Sequence, residues 1–473
     1  MPMREVLIRF LKYGEPSRET NQNNAISQSS DASQIHADSL GRMSLKPDCN
    51  DKVIEYVNQI CNQIRWKKAH VRIAEEMTHH IMDARDYHIN QGFDEITAVE
   101  MAIADSGDAA EVGLQLDGVH KPKPQWDLLI GAVGFVCLGI FINFFLFDNM
   151  FWGGHILFGL CGIGIMLWAY FSDFTVLGRR PWLVCLMAVF VFTLIIPVLD
   201  NAQGFTLLLP LIFAPVIFTM HNRGYIGIVV SLVAFGLLCV STMNLPASGL
   251  LHFGTIGGLL LVIAVLKGWF GGHRGVGILM IAAPLAALVG IFIRFYSGSF
   301  LAMRLALVLT PRADTFGGGF IALQIRELIG GAVWIGQGTM PEHFPQISFW
   351  SDLMLTEIIY RFGWLAFLGI ISALIIFIGL VFIRCLRQRS GLGFFVSIAV
   401  VLTFAVQCFL YIIFNLGFLL TQISLPLITW GGGPALFANM AIIGFMLSVF
   451  RIGDAVDDNK PSGHSYRNYT EIT

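Results

Sequence analysis

From Trp126 to about Phe450 the chain is a succession of apolar runs, each long enough to matter to a lipid bilayer. Ten can be delimited, near 126–147, 152–171, 181–199, 203–220, 224–242, 250–271, 274–296, 363–383, 393–415 and 430–450. A helix needs about 20 apolar residues to cross a hydrocarbon core, where every backbone polar group must be satisfied within the segment. The pattern therefore predicts an all-α, polytopic membrane protein of about ten transmembrane helices. Composition agrees: the 473 residues are 55% hydrophobic and 13% charged, against about a quarter charged in a soluble domain. Mean hydropathy is +0.68. The 39 Phe and 49 Gly suit helices that pack closely in lipid. The fourth run carries Pro210 and Pro215, which predicts a kinked or tilted span.

The short connections give orientation. Arg179-Arg180, Arg223, Lys267 with Arg274, and Arg384, Arg387 and Arg389 fall in alternate connections. The others, 148–151, 200–202, 243–249 and 416–429, carry no Lys or Arg. By the positive-inside rule the basic set is cytoplasmic. Both termini are then cytoplasmic, and the long connection 297–362 is external. A net charge of −2 gives no sign of a nucleic-acid partner. The eight cysteines form no CxxC pair, so neither a metal site nor a disulfide framework is indicated.

Ahead of the membrane, residues 1–50 read as a disordered tether, rich in Ser, Asn, Gln and Asp after Tyr13. In 51–124, Val53, Val57, Ile60, Ile64, Val71, Ile73, Met77, Ile81 and Ile89 recur at mostly helical spacing among charges. That pattern predicts two amphipathic helices ending at Gly92. Asp94 opens a third, to about Ala104, and Gly107-Asp108 a short fourth. The result is a small cytosolic helical domain, joined by Lys121-Pro122-Lys123-Pro124 to a membrane domain 125–452 and a cytosolic tail 453–473. His70, His79, His80 and His88 lack metal-ligand spacing and read as a solvated helix face.

The loop 297–362 holds the residues suited to chemistry. Asp314 stands between Pro311 and Gly317-Gly318-Gly319, a rigid turn followed by backbone that can approach a ligand. An acid there could take a proton from an attacking hydroxyl, hold a divalent cation, or simply cap a turn. Arg304 and Arg326 flank it and suit diphosphate or anionic headgroups, or ordinary snorkelling at a membrane surface. Gln324 and Glu327 could line the same cleft. Within the apolar runs Asn143, Gln407, Asn415 and Asn439 qualify for interhelical hydrogen bonds or ligand contact. Trp430-Gly431-Gly432-Gly433-Pro434 breaks the chain before the last run.

Taken together, Arg304, Pro311, Asp314, Gly317, Gly319, Phe320, Gln324, Gly330, Gly336 and Gly338 resemble, without a gap, the signature of the SEDS family, the shape, elongation, division and sporulation membrane proteins (the FtsW, RodA and SpoVE group). Ser351-Asp352-Leu353 with Gly363, Asn415-Leu416-Gly417, Leu425 to Gly433, and Asn439 resemble its later motifs. Separately, 51–124 is similar to the helical prefix of some bacterial permease-like proteins, through Ile73 to Ile81, Gly92-Phe93 and Gly107-Asp108. The family resemblance implies a peptidoglycan glycosyltransferase that polymerises lipid II in the bacterial cytoplasmic membrane beside a class B penicillin-binding protein. Asp314 would be its essential acid, acting directly or through Mg2+ or Mn2+. Arg304, Gln324, Arg326, Gly317, Gly319, Asp352, Asn415 and Asn439 would shape the substrate site, and the prefix could engage a cytosolic partner.

The sequence also departs from the family. Its acid in a Gln-Pro-Asp-Leu-Gly-Thr motif is Ala247 here, a pair of glutamates becomes Tyr360-Arg361, and a lysine expected beyond Asp200 is absent. These departures leave open a non-catalytic scaffold of a division or sporulation complex, and the buried polar residues a lipid flippase or transporter.

Overall fold

The computed structural model describes residues 47–120, 124–146, 152–199, 202–243, 245, 247–296, 308, 310–314, 319–339, 353–388, 390–418, 424–428 and 433–452. Arg304, Gly317, Asp352, residues 1–46 and the tail 453–473 lie outside them.

The chain forms two units. In the first, α1 (Pro47–Gln63), α2 (His70–Asn90), α3 (Glu95–Ser106) and α4 (Ala109–His120) enclose a core centred on Val53, Ile60, Ile73, Ile81, Val99 and Ala102. Val53, Ile60, Ile73 and Ile81, which recur at helical spacing in the sequence, thus lie in this core, whereas Ile89 of the same series is exposed. Asp94 and Asp108 act as helix starts, their carboxylates accepting from the backbone amides of Thr97 and Glu111 at 3.5 and 3.1 Å. The Tyr56 hydroxyl donates to the Gly107 carbonyl at 2.9 Å, tying α1 to the α3–α4 corner. His88, read from the sequence as part of a solvated face, is instead buried and meets Asp105 at 2.8 Å; His70 meets the Ile64 carbonyl at 2.8 Å, while His79 and His80 face outward.

The second unit has helices joined by turns and irregular chain, and no strand among its described residues. Among those residues seven helices are long and apolar enough to cross a membrane: α5 (Trp126–Leu146), α7 (Pro181–Val198), α9 (Gly224–Ser241), α10 (Ala247–Leu266), α14 (Trp364–Leu386), α15 (Gly391–Asn415) and α16 (Pro434–Ile452). Three further apolar helices, α6 (Trp152–Phe171), α8 (Leu209–Phe218) and α11 (Arg274–Tyr296), fall on the remaining apolar runs. The proline-bearing fourth run begins as 3-10 helix at Ala202–Leu208 and becomes α-helical at Leu209, with Pro215 inside. α7 passes through a π turn at Val191–Ile195 before Pro197 ends it.

Burial sorts these helices. α15 and α16 are buried along most of their length and form the centre. α14 shows Ile375 and Ile376 outward, and α5 Phe141, as lipid-facing positions do. At one end Arg384 of α14 meets Asp127 and Gln125 at the start of α5, the Arg384 Nη1 to Asp127 Oδ1 distance being 3.1 Å. Ser390 caps α15 by accepting from the Gly393 amide at 3.0 Å. Between α11 and α14 lie a 3-10 turn at Pro311–Asp314, the amphipathic α12 (Phe320–Gly330) and the short α13 (Met354–Phe362). The sequence presents 297–362 as one polar loop; among its described residues the structure has the Pro311–Asp314 turn and two helices, α12 and α13.

Candidate active site around Asp314

Pro311 opens a single 3-10 turn and Asp314, half-buried, closes it. The Gly319 amide donates to the Asp314 carbonyl at 3.0 Å, so the chain folds back on the turn before α12 begins. A side chain at position 319 has no room: a Cβ there would lie 2.0 Å from the Pro311 carbonyl oxygen. The glycine is required by close backbone approach rather than by an unusual φ, since Gly319 has φ −88°.

α12 carries Gln324 and Arg326 away from this turn on different faces. Gln324 is 5% exposed, and its Oε1 has no partner among the described residues. Arg326 donates from Nη2 to the Val308 carbonyl at 3.0 Å and stacks 4.7 Å over the Phe418 ring. Its stem lies against Gly417, where a Cβ would come within 2.8 Å of the Arg326 Cγ. Arg326 therefore joins three parts of the chain: the approach to the Asp314 turn, α12 and the end of α15. A guanidinium so held stabilises the frame of the site.

The Gly336-Gln337-Gly338 segment has a definite task. The Gly338 amide donates to the Tyr360 carbonyl at 2.8 Å and the Gly336 amide to the Phe362 carbonyl at 3.2 Å. These bonds occupy carbonyls that the last turn of α13 would otherwise leave open. In return the Val333 and Trp334 carbonyls accept from Trp364 and Leu365, each at 3.1 Å, satisfying the first amides of α14. Gly363 makes the corner between the helices at φ +89°, with the Trp334 carbonyl where a side chain would go.

α13 adds a carboxylate whose burial its spacing did not reveal. Glu357 is 1% exposed; one oxygen pairs with Arg361 and the other has no partner among the described residues. Burial pushes its carboxyl above the usual glutamate range, with the nearby Arg361 opposing. Arg361 stands where the family resemblance places a glutamate, so this chain has a pair of opposite charges there.

Asn415 and Asn439 separate. Asn415 is fully buried and committed to structure: its Oδ1 accepts from the Thr356 amide at 3.0 Å and its Nδ2 donates to the Tyr411 carbonyl at 3.0 Å. Asn439 lies on α16 with neither amide atom partnered among the described residues. Near Asn415, Leu427 adopts φ +65°, and the Ile428 amide closes a tight turn on the Pro426 carbonyl at 2.8 Å. Such a turn is strained for a branched residue and persists because the packing of Leu425 and Ile428 around it leaves no alternative. The structure thus places Asp314 and Gly319 in one turn, and Gln324 and Arg326 on the helix that follows it. Among the described residues no group of three His, Cys, Asp or Glu is placed to hold a metal ion.

No family model matches the chain. Over 206 residues it is 28% identical to a protein of Xanthomonas oryzae pv. oryzae described as a probable peptidoglycan glycosyltransferase, FtsW. That alignment spans 42% of this chain and 41% of the relative, less than half of either. In three dimensions it overlays a chain of a solved peptidoglycan synthase complex, in work on coordinating polymerization with crosslinking, at a TM-score of 0.54 and 17% identity. The overlay covers 70% of this chain and 98% of the other. The rod shape determining protein RodA of Thermus thermophilus, covered over 98% of its length and 71% of this chain at 14% identity, gives a TM-score of 0.48, too low to argue from.

Fold, motif order and sequence likeness define a polytopic helical membrane protein. Over part of its length it is similar in sequence to a probable peptidoglycan glycosyltransferase, FtsW, and in fold to a chain of a peptidoglycan synthase complex.

Proposed function

We propose that this chain is an integral-membrane peptidoglycan glycosyltransferase that polymerises lipid II. The observation that carries this reading is the Asp314 turn: one carboxylate on a rigid 3-10 turn, closed by a glycine that admits no side chain and followed by a helix. In the reaction, the acceptor sugar hydroxyl attacks the anomeric carbon of the donor, the bond to the undecaprenyl diphosphate breaks, and the hydroxyl proton passes to Asp314. The diphosphate leaves carrying its negative charge. Arg304 would offer a guanidinium to that charge, while Gly317 and Asp352 would line the approach. Gln324 supplies a buried acceptor beside the turn. Asn415 would act through the packing of α13, since its polar atoms are engaged within the fold.

A single carboxylate fits Mg2+ or Mn2+ only if diphosphate oxygens and water supply the other ligands. The reaction above needs no such ion. We place the protein in the bacterial cytoplasmic membrane, with both termini cytosolic and 297–362 external. The alternating basic connections support that orientation. A class B penicillin-binding protein is the proposed partner, supported by the likeness to a chain from a complex that couples polymerization to crosslinking. The helical unit 51–124, similar to a permease prefix, would engage a cytosolic partner.

A second reading, a non-catalytic scaffold, is favoured by one observation: Tyr360 and Arg361 stand where the family resemblance predicts two acids, and Arg361 pairs with Glu357. The deciding experiment is polymerisation of lipid II by the purified full-length protein, alone and with candidate penicillin-binding proteins. Glycan formation lost in Asp314→Ala supports the enzyme. If no polymer forms and Asp314→Ala complements a deletion, the scaffold stands. Movement of labelled lipid across proteoliposomes without polymerisation would instead indicate a flippase.

A further inference from the structure

Four elements close a ring away from the Asp314 turn. The 3-10 stretch Ala202–Leu208 packs on α16 and on α10, α10 packs on α15, and α15 packs on α16. Their contacts fix which faces look inward. A Cβ at Gly204 would meet the Ala435 backbone amide at 2.4 Å, and Asn439 lies one turn after Ala435 on the same face of α16. A Cβ at Gly249 would meet the Thr206 side chain at 2.9 Å, and His252 lies three residues on along α10. The His252 Nε2 sits 3.4 Å from the Thr403 carbonyl, and Gln407 is one turn beyond Thr403 on α15. Gln407 in turn donates to Ser424 at 3.1 Å.

His252, Gln407 and Asn439 are each at least 99% buried. Each keeps a polar atom without a partner among the described residues: Nδ1 of His252, Oε1 of Gln407, and both amide atoms of Asn439. Native interiors rarely leave such atoms unsatisfied, and unmet groups of this kind typically bind ordered water. The ligand must be neutral. Of all residues on these four elements, only Arg451 is charged, and it lies at the far end of α16, donating to the Phe171 carbonyl. An ion placed in the ring would have no countercharge in a low-dielectric interior. The ligand must also both donate and accept, as amide, imidazole and hydroxyl groups do. Water is the smallest ligand that meets both requirements.

We propose that the ring formed by residues 202–208, α10, α15 and α16 encloses a hydrated site in which ordered water bridges His252, Gln407 and Asn439. This site is separate from the catalytic reading of Asp314 and stands if that reading fails.

The test is a cryo-electron microscopy map of the full chain in lipid nanodiscs, at a resolution that shows water, with melting temperatures of Gln407→Met, Asn439→Leu and the double variant. Bridging water predicts density within hydrogen-bond distance of at least two of the three side chains. It also predicts coupling: each single variant loses several degrees, and the double melts near the less stable single, because the shared water is lost once. A map with well-defined side chains and no density between them overturns the proposal. So does a direct side-chain hydrogen bond that leaves the ring dry, or strictly additive losses. Where a variant fails to fold, the wild-type map alone decides.

Discussion

The Thr356 hydroxyl donates to the Asn415 carbonyl at 2.8 Å while the Thr356 amide donates to the Asn415 side chain at 3.0 Å, so two residues 59 apart in sequence lock α13 onto the end of α15. Neither is exposed, and Met354, Leu355, Ile358 and Tyr411 pack around them. Replacing Asn415 by Leu leaves the Thr356 amide without its side-chain acceptor in a dry setting. A buried unsatisfied group costs about 1–3 kcal/mol. Thermal unfolding of the detergent-solubilised protein should fall by several degrees in Asn415→Leu. Equal stability of Asn415→Leu and wild type would show that the lock contributes nothing.

Gly319→Ala places a methyl group where the Pro311 carbonyl oxygen already stands. The turn must open to admit it, moving Asp314 while the helices remain packed. We expect polymerisation to fall toward the Asp314→Ala level with a melting temperature close to that of wild type. Full activity in Gly319→Ala would mean that the turn geometry is not required.

Arg326 distinguishes a frame residue from an anion clamp. Lysine keeps the charge but loses the planar contact with Phe418 and the directed bond to the Val308 carbonyl. If the role is structural, Arg326→Lys and Arg326→Ala lose comparable stability. Rescue of both stability and activity by lysine would assign the role to charge alone.

Glu357 predicts a pH dependence. Burial raises its folded carboxyl pKa above the unfolded value, so the folded state binds the proton more tightly. Stability from this group is greatest at acid pH and declines as pH rises from the unfolded glutamate range through the raised folded value. Glu357→Gln should remove that slope. Because Arg361 is 43% exposed and keeps its water, its loss of a partner should be mild. Melting temperatures of the two proteins across acid to neutral pH provide the comparison, and parallel curves would contradict the assignment.

The membrane architecture was legible because the bilayer imposes a simple rule: runs such as 393–415 have to be helices, and α15 covers that run. Asp314 and its glycines stood out for a local reason, as turn residues in an otherwise apolar chain. Contacts between distant residues were not legible. Asn415 reads in sequence as a polar residue in an apolar run, equally fit to bind a ligand or a neighbour, and only the fold brings Thr356 to it. Glu357 carries no sign of its burial in the sequence; that burial comes from α13 packing against α12, α14 and α15. The Gly336-Gln337-Gly338 motif was visible, but its purpose, satisfying the carbonyls at the end of α13, depends on a chain segment that follows later. His252 gave no signal at all, since one histidine in an apolar helix has no spacing to interpret.

The proposed chemistry rests on the Asp314 carboxylate taking the acceptor proton. Single-turnover polymerisation of fluorescent lipid II by the full-length protein, wild type against Asp314→Asn, tests it most directly. Asparagine preserves size and hydrogen bonding but cannot act as a base. Lipid II binding should be unchanged and the rate lower by about 10²–10⁴-fold, the usual contribution of a positioned acid or base. Polymerisation by Asp314→Asn at the wild-type rate would contradict it.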